Sequence, residues 1–251
     1  MENLSRGVNI MISIIIPTFN EKVNVVKVAD KIESVLGNKY IYEIIFVDDS
    51  LDNTLEYLEI VTKKYDNIRY RHRYGKRGLA TAVVDGIEIS KGKTIIVMDA
   101  DMQHPPELLP DIVENIEQGY DLVIPSRHLK GANEAGLNIF RKIISHTAST
   151  IGKIFLKELR NINDPTSGFF AFKREILRDA KMNPVGWKIL IEILVKGNYK
   201  RISEIPYEFK KRNYGNSKMS FNEQINYLRH IFRLIRYSIL TNHLVDIRRI
   251  F

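Results

Sequence analysis

The chain reads as a single α/β domain built on a mostly parallel sheet with helices on both faces. Short apolar runs rich in isoleucine and valine alternate with segments of helical spacing from Ile12 to Met98. The first of these runs is β-branched and nearly all apolar, the pattern of a strand buried on both faces. The chain has 251 residues, enough for one large domain with a substantial core.

Taken in order, Ile12-Ser13-Ile14-Ile15-Ile16-Pro17 is the first strand. Residues Glu21 to Leu36 carry Val25, Val28, Ile32 and Val35 at helical spacing, and Gly37-Asn38 stops that helix. Glu43 to Val47 is a second strand, Thr54 to Tyr65 a helix, Ile68 to Arg73 a third strand, Gly78 to Ser90 a helix, and Thr94 to Met98 a fourth strand. Leu137 to Phe155 is a further helical stretch, and Asp164 to Phe169 reads as a turn entering a strand.

Composition narrows the classes of function. The hydrophobic fraction of 44% and charged fraction of 27% are ordinary for a soluble protein. There is no cysteine, which excludes disulfides and thiolate catalysis. A net charge of +8 and pI near 9.4 point to an anionic partner, whether nucleic acid, anionic lipid or phosphorylated substrate. Residues 1–10 lack the apolar core of a signal peptide, and no stretch reaches the roughly 18 apolar residues of a membrane-spanning helix.

In open α/β sheets, ligands bind beyond the carboxyl ends of the strands. Those ends carry the unusual residues here: Pro17-Thr18-Phe19-Asn20-Glu21, Asp48-Asp49-Ser50 and Asp99-Ala100-Asp101-Met102-Gln103. Residues one apart at a strand end share a face, so Asp99 and Asp101 can point the same way. With Gln103 they form an oxygen-donor set suited to Mg²⁺ or Mn²⁺, ions that take their remaining ligands from substrate phosphates and water. An isolated Asp-x-Asp is more often a solvated turn; three acidic or amide-bearing strand ends on one rim favour a nucleotide-plus-metal site. Neither Gly-x-Gly-x-x-Gly nor Gly-x-x-x-x-Gly-Lys-Ser/Thr occurs at the first strand end, which disfavours NAD enzymes and P-loop NTPases.

These motifs, with Gly75-Lys76-Arg77-Gly78-Leu79-Ala80-Thr81-Ala82, Ser126-Arg127, Asp164-Pro165-Thr166-Ser167-Gly168-Phe169 and Arg212-Asn213-Tyr214-Gly215-Asn216-Ser217-Lys218, resemble family 2 glycosyltransferases of the GT-A fold. The likeness is strongest to dolichol-phosphate (polyprenol-phosphate) mannose synthases and runs from about Ile12 to Leu234. Two departures are Phe19 in place of a usual tyrosine and Ser50-Leu51-Asp52-Asn53-Thr54 in place of Ser-Pro-Asp-Gly-Thr; neither removes a charged group.

The resemblance implies a site, residue by residue. Pro17, Phe19, Asn20, Glu21, Val47, Asp48, Asp49 and Asp99 would hold the nucleotide-sugar donor, together with Arg212 and Lys218. Asp99, Asp101 and Gln103 would hold Mg²⁺ or Mn²⁺ across the diphosphate. Arg127, Arg141 and Ser145 would grip the acceptor phosphate, and Asp101, Arg127, Arg212 and Lys218 would carry the catalytic role. Arg141 and Ser145 stand four apart and so share one helix face. A lipid phosphate is mostly a dianion at neutral pH and is its own nucleophile, so no general base is called for. His104 is expected to shape the metal-loop turn rather than to ligate, and His146 to line the acceptor groove.

The implied reaction is inverting transfer of mannose from GDP-mannose to dolichyl or polyprenyl phosphate for glycan assembly. The nearest rival is glucosyl transfer from UDP-glucose; a rival of another class is a basic nucleic-acid-binding protein, for which Asp99 and Asp101 would have no use. Residues 1–220 are expected to form the GT-A catalytic domain. Residues 221–251, where Phe221, Ile225, Leu228, Ile231, Phe232, Ile235 and Ile239 recur among Arg229, Arg233 and Arg236, are expected to form an amphipathic segment without a transmembrane helix. That implies a peripheral protein on the cytoplasmic face of a membrane, compatible with a membrane-anchoring partner subunit, and with no nucleic-acid partner.

Overall fold

The computed structural model describes residues 10–75, 78–132, 147, 149–209 and 221–248, with the side chains of the last helix described over 225–241. Seven strands form one sheet in the order β3-β2-β1-β4-β6-β5-β7. They are β1 (Ile12–Thr18), β2 (Tyr42–Asp48), β3 (Ile68–His72), β4 (Thr94–Val97), β5 (Leu122–Ser126), β6 (Phe170–Lys173) and β7 (Ile202–Pro206). β1 pairs in parallel with β2 and β4, β2 with β3, and β5 with β7; β6 runs antiparallel to both β4 and β5. The strand order reverses across β1, which places the switch point of the sheet between the ends of β1 and β4.

Helices α1 (Lys22–Leu36), α2 (Thr54–Lys64), α3 (Leu79–Ile89) and α4 (Leu109–Glu117) connect the early strands; α5 (Ile189–Lys196) and α6 (Phe221–Arg248) follow later. The expected boundaries of the first four strands and first three helices agree with the observed ones to within one residue. The expected helix over residues 137–155 is described only at its end, where residues 149–155 are helical.

Period-two alternation in the strands feeds two cores. Ile12, Ile14, Ile16, Ile44 and Phe46 meet α1, α2 and α4 through Val25, Val28, Ile32, Leu58 and Ile112. Ile15, Ile45, Val47, Ile95 and Val97 meet α3, α5 and α6 on the other face. Gly86 lets α3 lie close to β1: a Cβ there would sit 2.5 Å from Ile15 Cγ2.

The last helix is both docked and exposed. Tyr227, Ile231 and Leu234 are buried in the second core, and His230 Nε2 lies 3.1 Å from Glu192 Oε2 of α5. Burial raises the Glu192 carboxyl, but His230, Lys196 Nζ and the Asn183 N–H outweigh it and hold it below its ordinary value. Along residues 227–234, α6 packs against one face of the sheet. Its other side leaves Leu228, Phe232, Ile239 and Leu240 exposed. Among the described residues no helix is long and apolar enough to cross a membrane.

Candidate active site

All parallel strands deliver their carboxyl ends to one rim, and the reversed β6 brings the preceding turn, residues 164–169, to the same rim. The β1 and β2 ends are stitched together. The Asp49 N–H donates to Thr18 O at 2.9 Å, the Asn20 N–H to Ser50 Oγ at 2.7 Å, and the Leu51 N–H to Asn20 Oδ1 at 2.9 Å. Asn20 adopts a positive φ of 55°, a conformation asparagine tolerates better than most residues. Glu21 accepts from Asn24 Nδ2 at 2.6 Å, and its backbone N–H donates to Thr54 Oγ1 at 3.1 Å. Phe19 and Pro17 are half-buried on this rim and Asn20 is exposed.

Three residues expected to contact the donor, Val47, Asp48 and Asp49, are buried. Val47 is wholly buried in the second core. Asp48, also without exposed surface, accepts from Thr18 Oγ1 at 2.8 Å and Ser50 Oγ at 2.5 Å, and its Oδ2 lies 2.7 Å from His72 Nδ1. Asp49 takes a two-pronged pair from Arg73, Nε to Oδ1 at 2.7 Å and Nη2 to Oδ2 at 2.5 Å, and accepts the Gly78 N–H at 3.0 Å. Arg73 also reaches Thr81 Oγ1, Asp85 Oδ2 and Gly78 O. Together they clamp the start of α3, where Gly78 sits at a φ of 139° that favours glycine. A buried carboxylate must be fully hydrogen-bonded, and the fold supplies the partners.

After β4 the chain makes a tight acidic loop. The Asp99 side chain is about one-third exposed (34%), whereas Asp101, Gln103 and His104 are buried. Asp101 Oδ1 accepts the Gln103 N–H at 3.1 Å, and between them Met102 holds a φ of 62°. A non-glycine residue there stores on the order of 1–3 kcal/mol, the kind of strain that persists where the surroundings fix a functional loop. His104 Nδ1 accepts the Asp99 N–H at 3.0 Å, so that nitrogen is committed to the turn, as expected of a shaping residue. Its ring stacks on Phe169 at 5.2 Å, and burial pushes its pKa down to about 4, leaving it neutral at physiological pH.

The donor chemistry suits a hard cation. Two carboxylates and an amide follow one strand end, and among the described residues no three His, Cys, Asp or Glu side chains form a closed cage. Such a set leaves positions for substrate phosphate and water, the usual manner of binding Mg²⁺ and Mn²⁺.

Arg127, at the end of β5, is fastened rather than loose. Its Nε and Nη2 donate to Asp164 Oδ2 and Oδ1 at 2.7 and 2.8 Å. Burial would raise the Asp164 carboxyl; the charge and hydrogen bonds of Arg127, with His128 and Lys188, hold it down at about 2. Lys188, also buried, donates to Thr166 O at 2.6 Å within the same turn. Arg141, Ser145, His146, Arg212 and Lys218 lie outside the described residues. Sequence reading missed His72, Arg73, Lys188 and Tyr207; all sit on ordinary-looking segments, and only Arg73 borders a motif it had singled out.

Comparison with known proteins agrees with this architecture: residues 13–180 match the family described as Glycosyl transferase family 2. The chain belongs to that family. Within family 2, it is 41% identical over 228 residues to a dolichol-phosphate mannosyltransferase of Pyrococcus furiosus, covering 90% of this chain and 64% of that protein. The chain therefore spans a little under two thirds of that relative's length. It is 31% identical over 245 residues to a dolichol-phosphate mannosyltransferase of Saccharomyces cerevisiae, covering 93% of this chain and 90% of the yeast protein. Among solved structures, glucosyl-3-phosphoglycerate synthase from Mycobacterium tuberculosis, in complex with Mn²⁺, UDP and glucosyl-3-phosphoglycerate, superposes with a TM-score of 0.68 at 19% identity, covering 91% of this chain and 80% of that one. Mannosyl-3-phosphoglycerate synthase from Rubrobacter xylanophilus gives a TM-score of 0.67 at 18% identity, covering 93% and 75%. This family 2 chain has the GT-A fold that those glycosyltransferases share.

Proposed function

We propose that this family 2 chain transfers mannose from GDP-mannose to dolichyl or polyprenyl phosphate, by direct in-line displacement with inversion at the anomeric carbon. The observation that carries the reading is the Asp99–Asp101 loop at the switch point of the sheet, in a chain whose relatives bear the name dolichol-phosphate mannosyltransferase.

The donor nucleoside lies over the joined β1 and β2 ends, with Phe19 and Pro17 offering apolar area and Asn20 and Glu21 offering polar atoms. Asp48 and Asp49 serve this surface from beneath by fixing His72, Ser50 and the start of α3. Asp99, Asp101 and Gln103 hold Mg²⁺ or Mn²⁺. Such an ion, when bound, neutralises charge that builds on the departing diphosphate. Arg127, held by Asp164, contributes a positively charged wall at the acceptor side; Arg141 and Ser145 complete the acceptor site, and Arg212 and Lys218 complete the grip on both phosphates.

The acceptor phosphate attacks as a dianion, so the protein supplies charge and alignment rather than a base. His104 supports this division of labour, since its Nδ1 is occupied by a backbone N–H and its ring is buried. The lipid tail stays in a bilayer, and the exposed face of α6 is suited to meet it: Leu228, Phe232, Ile239 and Leu240 stand beside the exposed Arg229, Arg233 and Arg236. That geometry supports a peripheral protein on the face of the membrane where the sugar nucleotide is available.

The test is incubation with labelled GDP-mannose or UDP-glucose, Mg²⁺ or Mn²⁺ and a short polyprenyl phosphate. Labelled lipid from GDP-mannose alone is expected. Product from UDP-glucose alone would move the assignment to the glucosyl branch, and no product with salt-dependent RNA or DNA binding would sink the enzyme reading.

A further inference from the structure

Tyr207 carries a hydroxyl for which the described fold has no use. It is the first residue after β7, and its backbone N–H donates to Ser126 O at 3.3 Å, which sets it on the rim beside Arg127. The side chain is 4% exposed, and among the described residues its Oη has no hydrogen-bond partner. Buried tyrosine hydroxyls usually have one; where packing is the only need, phenylalanine serves as well.

The ring is held from three sides. Its centroid lies 6.3 Å from His104, 6.1 Å from Phe169 and 6.3 Å from Phe209, all three edge to face. His104 is itself pinned to the acidic loop through the Asp99 N–H. The charges of Arg127, Asp164, Asp99 and Asp101 all reach the phenol. Burial raises its pKa far above the ordinary value, Arg127 opposes and the three carboxylates reinforce, so the group stays a protonated donor. Gly168 brings the turn close to the acidic loop: a Cβ there would meet Asp99 Oδ2 at 3.4 Å and His104 Cε1 at 3.3 Å.

We infer that Tyr207 is a positioning residue of the cation site, its hydroxyl kept for the carboxylate oxygen of Asp99 or Asp101 that a bound cation leaves uncoordinated. A carboxylate that ligates through one oxygen needs a donor on the other to fix its orientation, and such partners commonly contribute 10–100-fold to metal affinity. The inference rests on the reading of the acidic loop as a cation site.

The test compares the full chain with Tyr207→Phe and, as a control, Asp101→Ala, titrating Mn²⁺ alone and Mn²⁺ in the presence of GDP by calorimetry. Thermal unfolding without metal is followed in parallel. Tyr207→Phe is expected to weaken Mn²⁺ binding about tenfold or more in both titrations. Its metal-free unfolding temperature should equal or exceed that of the wild type, because no hydrogen bond is lost. Mn²⁺ affinity within twofold of wild type would overturn the inference while leaving the cation site standing. A clear drop in metal-free stability would also overturn it, by showing the hydroxyl already paired. Failure of the wild type to bind Mn²⁺ in either titration would overturn the cation-site reading and this inference with it.

Discussion

At the scale of single residues, the two acidic strand ends divide into different tasks. Asp101 follows β4 with a buried carboxylate oriented by the Gln103 N–H, while Asp49 is consumed by Arg73 and the start of α3. Asp101→Ala is expected to abolish metal-dependent turnover and leave the circular dichroism spectrum unchanged; full activity would remove that carboxylate from the mechanism. Arg127→Ala acts first on stability. It strands a buried carboxylate, a change that costs about 3–5 kcal/mol, readable by urea unfolding. The Asp164 carboxyl is depressed from 3.8 to about 2 in the folded protein. Its contribution is therefore complete above about pH 4 and is lost as pH falls through 2. Without Arg127 the largest lowering influence is lost and the depression weakens against burial, so acid unfolding of Arg127→Ala should begin at higher pH than in the wild type. Sequence made the position of the acidic loop and the turn-shaping contact of His104 legible because the loop follows a strand end directly. The fastening of Arg127 was not legible, since its partner lies 37 residues away and only the sheet brings them together.

At the scale of elements, β1 through β4 were readable from their apolar runs and stop signals, whereas of the later half only the turn entering β6 and the last helix were. β6 is four residues long and reversed, and β5 pairs with β7 some 80 residues further along the chain, so neither pairing leaves a local trace. The last helix shows the limit of periodicity alone. Its apolar residues occupy two faces, and the structure divides them: Tyr227, Ile231 and Leu234 go to the core, Leu228, Phe232 and Leu240 to solvent. The two faces call for opposite experiments. Ile231→Ala should destabilise the protein by about 2–5 kcal/mol, measured by chemical denaturation. Phe232→Glu should leave stability within about 0.5 kcal/mol and lower binding to vesicles containing anionic lipid in a sedimentation assay. Equal vesicle binding by Phe232→Glu and wild type would remove this face from the membrane contact.

At the scale of the whole molecule, one sheet separates two jobs. Its carboxyl-terminal rim gathers acidic, amide and guanidinium groups that suit a cation and two phosphates, and α6 lays an apolar, arginine-flanked face along the side of one core. The net charge of +8 fits an anionic donor, an anionic acceptor and an anionic surface together. The family likeness was legible because several of its motifs, at residues 17–21, 48–50, 98–107 and 164–169, lie at strand ends and turns, where residue identity is dictated by chemistry rather than by packing. The inward packing of Val47, Asp48 and Asp49 was not legible, because a motif records which residues occur and not which way they point. The central claim is transfer of mannose to a lipid phosphate, and the direct measurement is product formation from labelled GDP-mannose and a short polyprenyl phosphate with Mn²⁺, against UDP-glucose under the same conditions. A labelled lipid is expected from GDP-mannose and not when Mn²⁺ is chelated. Labelled lipid from UDP-glucose alone, or none from either donor, would contradict that claim.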